Sequence, residues 1–563
     1  MKWLRVSFRS EMWLEAAMAT AIGLGLFITA FQGFAIVGVL GTRSVLACVL
    51  TGLLLTGVQA RDWLAEIRSQ ALGSPTTWGE KCALALVALV ALPTLVTPLA
   101  PPIAWDELMY HLPYARQVAE DGHAGIYEWL RYPWFPYNYD LLYAAALTVY
   151  DDVFTHLLHA LAGWLSVWMI YRLGTQYANR YVACLAAAIW LKQGDYGTAY
   201  IDMGVTLFIL SAFIALWWWR EADAKEGASW LVLAAFLLGI AAGSKYQALI
   251  FLPLASVVVL RRERRLRIWA LMLACFALPC IYWYVRNAIQ TGDPFNPLGG
   301  RLFGFSNWNL ADYRAQIADV HANAQLPSSW FWAVLIVPFS PMWRNSAAVR
   351  AAVVFCGYAL FVWTLTSRYP RYLITAYPLL ALVAAIGWYQ LIVWAVTAVR
   401  SKLPRPVFVS DLSVLRGRQA IVALIMFLSV VSILSSVRKS ALVSATPGSR
   451  EAVLRERVPG YEVMTWLREN PSGPLYQVGL DNAIYFAPDR VWGDGFGPWR
   501  HGDFLTLPVI DMARKLRAQN FGAIVINTVV HPDIDTQPNF DRYFSLLYQK
   551  AGVRAYRILE VAP

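Results

Sequence analysis

Long apolar runs recur along most of the chain, with short charged loops between them. Most of the runs are about 15 to 25 residues long, which is the length that an α-helix needs to cross a bilayer. Of the 563 residues, 58% are hydrophobic and only 15% are charged, whereas soluble chains carry clearly more charge. The pattern therefore predicts a polytopic α-helical membrane protein.

About thirteen membrane-spanning helices are predicted from these runs. The basic start, MKWLRVSFRSE, precedes the first run without a convincing cleavage site, so we interpret it as a retained signal-anchor. The predicted spans are 16–39, 44–60, 82–100, 153–171, 181–192, 199–219, 229–243, 246–260, 268–285, 329–341, 351–366, 372–397 and 419–436.

The loop charges predict an orientation in the cytoplasmic membrane. With the N-terminus in the cytoplasm, the inner loops collect most of the basic residues, including RRERRLR at 261–267 and VRSKLPR at 399–405. This is the positive-inside pattern, so the net charge of +11 requires no nucleic acid as a partner. Thirteen spans then place the C-terminus outside.

The last part of the chain has a different character. We predict a transmembrane domain at 1–437 and an extracytoplasmic α/β domain at 438–563, because apolar runs there shrink to strand length. The predicted strands are PLYQVGL, AIYFA, GAIVINTVV and YRILEV, and the predicted helices are YEVMTWLREN and LPVIDMARKLRAQN. Strands that alternate with helices are typical of a small α/β fold.

The outer loop at about 101–152 carries adjacent carboxylates directly after an apolar run. WDELMYHLPYARQVAEDG, which starts at Trp105, predicts a helix that Asp106 caps and Gly122 ends. The helix N-terminal amides would hold the Asp106 carboxylate ionised and pointing into a cavity. Asp140 follows an aromatic and proline-rich stretch that suits a membrane interface.

Ionisable residues also stand at the predicted outer ends of other spans. Each alone is explained by a helix cap or by an anchor at the lipid surface, but together they indicate a polar cavity. They are Asp202, Lys245, Arg286, Arg368 and Arg371. A carboxylate that faces several cations suits group transfer from a lipid-linked phosphate, with the carboxylate as general base and the cations on the leaving phosphate.

Several segments resemble the GT-C superfamily of integral membrane glycosyltransferases, in particular bacterial members related to protein O-mannosyltransferases and to the lipid A aminoarabinose transferase. They occur in the same order over about 80–560. They are WDELMYHLPYARQVAEDG, YPWFPYNYDLLYAAAL, AYIDMGVTLFIL, GIAAGSKYQALIFLP, TGDPFNPLGGRLFG and SRYPRYLITAYPLLALVAA.

This resemblance implies a polyprenyl-phosphate sugar donor, such as undecaprenyl phosphate carries, and transfer on the outer face of the membrane to a glycan, lipid or protein acceptor. It implies Asp106 as the catalytic base, with Glu107 and Asp140 as further acidic residues of the site. The donor phosphate is expected at Lys245, Arg371, Arg368 and Arg286, and substrate contacts at Tyr110, His111, Arg116, Asp202 and Tyr246. The acidic pair is Asp-Glu rather than Asp-x-Asp, so no cofactor and no metal are predicted, although a divalent metal remains compatible.

Two other functions stay open at this point. An O-antigen ligase or polymerase would use a lipid-diphosphate glycan and depend on a late outer loop rich in Arg and His, but the 287–328 loop carries few of them. A transporter of lipid-linked glycans would favour repeats between two halves of the chain, which the sequence does not show.

Overall fold

Helices make up most of the protein. The computed structural model describes residues 12–69, 77–222, 224–401, 409–443 and 446–560. The signal-anchor start at 1–11 and most of the basic stretch at 399–405 lie outside the described residues.

The first part of the chain forms seventeen α-helices with short 3₁₀ segments between them. The α-helices are α1 Met12–Ile36, α2 Thr42–Ser69, α3 Trp78–Val96, α4 Leu112–Asp121, α5 Asp140–Val149, α6 Asp152–Tyr177, α7 Arg180–Gln193, α8 Asp202–Glu221, α9 Ala224–Ala242, α10 Leu252–Leu260, α11 Leu266–Thr291, α12 Gly300–Phe303, α13 Leu310–Ala322, α14 Pro341–Asn345, α15 Ala347–Thr366, α16 Tyr377–Ser401 and α17 Val409–Ser440. A π-helix covers Glu107–His111, and 3₁₀-helices cover Thr97–Leu99, Tyr246–Phe251, Ser329–Phe339 and Pro370–Ala376.

Eight helical segments of the described residues are long and apolar enough to cross a membrane. They are Leu14–Ile36, Trp78–Leu99, Asp152–Tyr177, Asp202–Glu221, Leu266–Thr291, Ala347–Thr366, Pro370–Ala398 and Leu415–Ser440. Each of the thirteen predicted spans overlaps helical structure, but several of these helices are too short or too polar to qualify. The number of thirteen crossings therefore stays a prediction.

The helix α8 lies in the middle of the bundle, since 83% of the residues in its most apolar stretch are buried. It packs against α6, α9 and the 3₁₀-helix Pro370–Ala376. The first residue of α8 is Asp202, Lys245 follows the end of α9, and Arg371 belongs to the 3₁₀-helix. The packing of these three elements therefore brings three ionisable residues to one end of the bundle.

The C-terminal part forms a five-stranded mixed sheet with helices. Its elements are α18 Pro447–Arg457, α19 Tyr461–Glu469, β1 Leu475–Val478, the 3₁₀-helix Asp481–Phe486, β2 Val491–Trp492, α20 Gly502–Leu505, α21 Val509–Ala518, β3 Ala523–Asn527, α22 Phe540–Tyr543, β4 Phe544–Lys550 and β5 Val553–Ile558. The strand order is β2-β1-β3-β5-β4, with β1 parallel to β2 and β3, and β5 antiparallel to β3 and β4.

The predicted fold class, a polytopic helical membrane protein with a C-terminal α/β domain, is confirmed. Three of the four predicted strands overlap β1, β3 and β5, and both predicted helices coincide with α19 and α21. The strand predicted at AIYFA is wrong, because these residues belong to the 3₁₀-helix Asp481–Phe486 and its end. The boundary predicted at 437/438 falls in the last turn of α17 and stays a prediction.

The α/β domain packs on the end of the bundle that carries the 101–152 loop. Arg450 of α18 binds both carboxylate oxygens of Asp152, the first residue of α6, at 2.8 and 2.6 Å. Arg500 lies 2.7 Å from a carboxylate oxygen of Asp312 on α13. The 101–152 loop, the 292–328 segment and the α/β domain therefore lie on the same side of the bundle.

Candidate active site

Two carboxylates and two cations form a connected cluster at this end of the bundle. The ammonium of Lys245 donates to Oδ1 of Asp202 at 2.6 Å. The Nε of Arg371 donates to Oδ2 of Asp202 at 3.0 Å, and its Nη2 lies 2.9 Å from the same oxygen. The Nη1 of Arg371 donates to the carboxylate of Asp106. We call these four residues the charged cluster.

The charged cluster is partly open to solvent on one side. The Asp202 side chain is only 5% exposed, whereas those of Arg371 and Asp106 are 21% and 23% exposed. Asp202 therefore lies at the buried side of the cluster, and Asp106 lies at its open side. The Nη2 of Arg371 is buried within ion-pair distance of Asp202, without a well-aligned hydrogen-bond acceptor among the described residues.

Aromatic rings line the cations. The Cζ of Arg371 lies 4.1 Å from the centroid of the Tyr200 ring, and the Nζ of Lys245 lies 5.7 Å from that of Tyr372. Burial raises the pKa of Tyr110, and the negative charge of Asp106 raises it further, so this phenol stays protonated at neutral pH.

The prediction that Asp106 caps a helix is wrong. Asp106 has helical backbone angles, φ −66° and ψ −32°, and its side chain makes no capping hydrogen bond. The π-helix Glu107–His111 follows it, and π-turns of this kind insert an extra residue into a helix. The carboxylate of Asp106 is held by the guanidinium of Arg371 instead of by backbone amides. The helix ends at Gly122, with φ 71°, as predicted.

The neighbouring carboxylate of Glu107 is fully buried and faces the protein interior. Its Oε1 accepts the backbone amides of Ile103 and Ala104 at 2.7 and 2.6 Å. Its Oε2 accepts the amide of Ala199 at 2.6 Å and lies 3.0 Å from Nε2 of His156. Both oxygens are thus occupied, and the side chain ties the start of the 101–152 loop to the segment before α8.

The third predicted acidic residue, Asp140, lies in a separate buried pair. Its Oδ1 is 2.7 Å from Nδ1 of His111, and the two side chains are 0% and 1% exposed. The His111 ring packs against that of Tyr110, with centroids 4.1 Å apart. The pair joins the first residue of α5 to the π-helix, and its contacts are with the scaffold beside the charged cluster.

Arg286 and Tyr246 belong to a network around Asn287. Arg286 is 8% exposed, donates to the side-chain oxygen of Asn287, and lies 5.0 Å from the Trp283 ring. The hydroxyl of Tyr246 accepts from Asn287 at 2.9 Å and lies 3.1 Å from the carbonyl of Trp134. These contacts fasten the end of α11 to the aromatic part of the 101–152 loop.

The remaining predicted residues, Arg368 and Arg116, lie at two different surfaces. Arg368 is exposed, has a φ of 52°, and donates to the carbonyl of Thr364 at 3.1 Å. Arg116 donates to the carbonyl of Tyr485 in the α/β domain at 2.6 Å and lines a cavity of about 970 Å³ beside that contact. Arg116 is therefore a contact to the α/β domain in this structure.

Sequence reasoning missed Tyr200, His156 and Arg131. Tyr200 stacks on Arg371, and His156 binds Glu107. Arg131 contacts the α/β domain through Asp481 and Asp494. A signal was present for His156, which lies three residues before His159 on α6, so that two imidazoles share one face of an apolar helix.

Relatives in sequence were found in Shigella flexneri. A family model described as SF2091/S2213 matches residues 449–557. The uncharacterized protein SF2092/S2214 is 30% identical over 148 residues, which make up 24% of this chain and 79% of that protein. The uncharacterized protein SF2093/S2215 is 30% identical over 132 residues, 23% of this chain and 66% of that protein.

Two solved structures are similar over most of the chain. ArnT from Cupriavidus metallidurans, in a structure bound to undecaprenyl phosphate, has a TM-score of 0.50 at 14% identity, over 84% of this chain and 97% of ArnT. The Archaeoglobus fulgidus oligosaccharyltransferase tethered to an acceptor peptide has a TM-score of 0.48 at 13% identity, over 79% of this chain and 68% of that chain. The chain thus belongs to the family of the Shigella flexneri protein SF2092/S2214 and has the fold of the GT-C integral membrane glycosyltransferases.

Proposed function

We propose that this protein is a glycosyltransferase that moves a sugar from a polyprenyl-phosphate donor, such as undecaprenyl phosphate carries, to a hydroxyl of an acceptor. Asp106 is the general base, and Arg371 and Lys245 bind the donor phosphate. The single observation that carries the proposal is the contact of Arg371 with both Asp106 and Asp202, because it places a partly exposed carboxylate beside two ordered cations.

A phosphate fits these cations in charge and in shape. A guanidinium binds phosphate oxygens through a planar fork, and an ammonium adds a compact charge. Asp202 neutralises one of the two positive charges and keeps Arg371 and Lys245 side by side, whereas Asp106, the partner of the second charge, is partly exposed and can give way to a phosphate. The solved ArnT structure binds undecaprenyl phosphate, and its fold is similar to that of this chain.

The position of the cluster suits a donor that stays in the bilayer. Arg371 lies at the start of the apolar segment Pro370–Ala398, and Asp202 lies at the start of the apolar segment Asp202–Glu221. A phosphate at the end of a polyprenyl chain lies at the same level, next to the ends of the membrane-crossing helices. The donor phosphate can therefore reach the charged cluster while the polyprenyl chain stays in the bilayer.

The proposed reaction is a displacement at the anomeric carbon. Asp106 takes the proton of the acceptor hydroxyl while the acceptor oxygen forms a bond to that carbon. The bond between the anomeric carbon and the phosphate oxygen breaks, and the electron pair stays on the polyprenyl phosphate. Arg371 and Lys245 stabilise the charge that develops on this leaving group.

The donor phosphate and Asp106 share one partner, the guanidinium of Arg371. Without donor, Arg371 donates to Asp106. When the phosphate binds Arg371, the contact with Asp106 weakens, and the carboxylate becomes free to accept a proton. The base is then most reactive when the donor is present.

We also propose the location in the membrane. The charged cluster and the α/β domain lie on the outer face of the cytoplasmic membrane, with the N-terminus in the cytoplasm. The turn at 261–265, with four arginines, lies at the opposite end of α11 from the 292–328 segment. An excess of basic residues at one end marks the cytoplasmic side.

A deletion strain tests the proposed function without knowledge of the sugar. Lipid extracts and envelope glycans are compared by mass spectrometry in the parent, the deletion strain, and the deletion strain with the wild-type or Asp106→Asn gene. We expect one polyprenyl-monophosphate sugar to accumulate and one sugar to disappear from an acceptor, and only the wild-type gene to reverse both changes. Accumulation of a lipid-diphosphate glycan, or unchanged lipids, would contradict the proposal.

A further inference from the structure

Arg131 joins the 101–152 loop to the α/β domain through two carboxylates. Its Nε lies 2.7 and 3.0 Å from the oxygens of Asp494, and its Nη2 lies 2.5 Å from Oδ2 of Asp481. The three side chains are between 6% and 14% exposed, and the Cζ of Arg131 lies 4.9 Å from the centroid of the Phe496 ring. The contact is thus largely buried and charge-assisted, and one guanidinium is shared by two carboxylates, which makes it stronger than an exposed ion pair.

A series of aromatic rings leads from this contact to the charged cluster. The Phe496 ring lies 5.1 Å from that of Trp308, and Trp308 lies 5.9 Å from Tyr132, the residue after Arg131. Tyr132 meets Tyr110 edge to face, with centroids 5.0 Å apart at 81°. Distances of this kind are those of packed aromatic pairs.

Tyr110 is the last ring in this series and belongs to the π-helix that directly follows Asp106. Its ring centroid lies 4.1 Å from that of His111, and the His111 ring lies 6.2 Å from that of Tyr200, the ring against which Arg371 stacks. Tyr132 is also held from the side, because its hydroxyl donates to Oε1 of Gln316 on α13 at 2.8 Å. Tyr132 of the 101–152 loop therefore contacts the segment around α13 directly, and the α/β domain reaches it through Trp308 and the neighbouring Arg131.

We propose that Arg131 is a positioning residue for transfer, and that the docked α/β domain supports the aromatic wall of Tyr132 and Tyr110 beside the charged cluster. This inference rests on the proposed function, because the wall lies next to the proposed base. Sugar transfer needs the base and the phosphate contacts within a fraction of an ångström of their places. A wall held by a distant domain then affects turnover more than donor binding, since Arg131 does not touch the charged cluster.

The protein offers a matched control for this contact. Asp152 and Arg450 form a second ion pair between the bundle and the α/β domain, with contacts of 2.8 and 2.6 Å. That pair is not connected to Tyr132 by the ring series. Arg131→Gln removes an arginine that contacts two carboxylates, and Asp152→Asn removes a carboxylate that contacts one arginine, but only Arg131→Gln removes support from the wall.

The test compares the two variants in the purified full-length protein. For Arg131→Gln we expect kcat to fall by about tenfold or more, with the donor KM within about threefold of wild type. Arg131→Lys should restore part of the loss, because an ammonium reaches one carboxylate but lacks the planar fork. Asp152→Asn should keep kcat within about twofold. Equal losses in Arg131→Gln and Asp152→Asn, or an unchanged kcat in Arg131→Gln, would overturn the inference.

A second readout does not depend on activity. Amide hydrogen exchange of peptides that cover 107–112 and 129–137 should become about tenfold faster in Arg131→Gln and stay at the wild-type rate in Asp152→Asn. If the wild-type protein transfers no sugar from a polyprenyl phosphate, the proposed function fails. Hydrogen exchange still shows in that case whether Arg131 supports the aromatic wall. Unchanged exchange of both segments in Arg131→Gln would overturn the coupling, whatever the activity.

Discussion

The ammonium of Lys245 lies 2.6 Å from Oδ1 of Asp202, and Arg371 occupies the other oxygen of the same carboxylate. One buried acid thus orders two cations that come from sequence positions far apart. The consequence is that the cations stay close together in the absence of substrate. A phosphate can then bind without the ordering cost of two long side chains.

Asp202→Asn should destabilise the protein, because it leaves Lys245 and Arg371 largely buried with less compensation. Removal of one partner from a buried ion pair costs about 3–5 kcal/mol. We expect a lower thermal midpoint in detergent and a lower yield of folded protein. Asp511→Asn is the control, since Asp511 is 50% exposed and lies 3.7 Å from Arg514. Equal thermal midpoints for the two variants would contradict the role of Asp202 as the buried partner of Lys245 and Arg371.

Lys245→Ala and Arg371→Ala should weaken the binding of undecaprenyl phosphate to the purified protein. Loss of a desolvated charge contact costs a few kcal/mol, so a decrease in affinity of roughly a hundredfold is expected for each. Arg371→Lys should not restore full affinity, because an ammonium cannot replace the planar fork that reaches Asp106 and Asp202. Arg301→Ala is the control, because Arg301 is exposed and stacks on Tyr313. Affinities equal to that of Arg301→Ala would assign Lys245 and Arg371 to the scaffold.

Glu107→Gln should affect stability more than turnover. The wild-type carboxylate accepts hydrogen bonds from three backbone amides and contacts His156. In the glutamine variant, the side-chain NH2 group would replace one of the two oxygens and would face a backbone N–H donor. An unsatisfied buried group costs about 1–3 kcal/mol. Thermal unfolding should show a lower midpoint, whereas the kcat of the folded fraction should stay within about tenfold of wild type. A stable Glu107→Gln protein without activity would instead point to Glu107 as the base.

Reporter fusions test the proposed orientation. A reporter fused after residue 563 and one inserted in the 292–328 segment should both be active outside the cytoplasm, because both parts lie at the same end of the bundle. A reporter inserted at Arg264 should report the cytoplasm, since the 26 residues of α11 separate it from that segment. A cytoplasmic signal from the C-terminal fusion would contradict the location of the charged cluster on the outer face.

The sequence pattern was sufficient to predict a helical membrane protein, the C-terminal α/β fold and all four residues of the charged cluster. Asp106, Asp202, Lys245 and Arg371 each interrupt or border an apolar run, and charge at such positions is costly unless it is paired. They were therefore predicted at one membrane level, and the structure brings them into contact. Their roles in transfer stay a prediction, as does activity without a metal.

The partners of the side chains could not be predicted. Adjacent residues of a helix point in different directions, as Asp106 and Glu107 do, but the sequence does not show that Asp106 meets Arg371 and Glu107 meets His156. Arg286 was predicted at the donor phosphate together with Arg371, but it packs among Trp283, Tyr282 and Trp134. Such differences depend on long-range packing, as does the contact of Arg131 with Asp494.

The transfer rate of purified Asp106→Asn, measured at saturating donor, tests the central claim most directly. Asparagine keeps the size of the side chain but removes the basic oxygen, so the rate should fall by about two to four orders of magnitude. Undecaprenyl phosphate should bind as tightly as in wild type or more tightly, because Arg371 loses a competing carboxylate. A transfer rate near that of wild type would contradict the assignment of Asp106 as the general base.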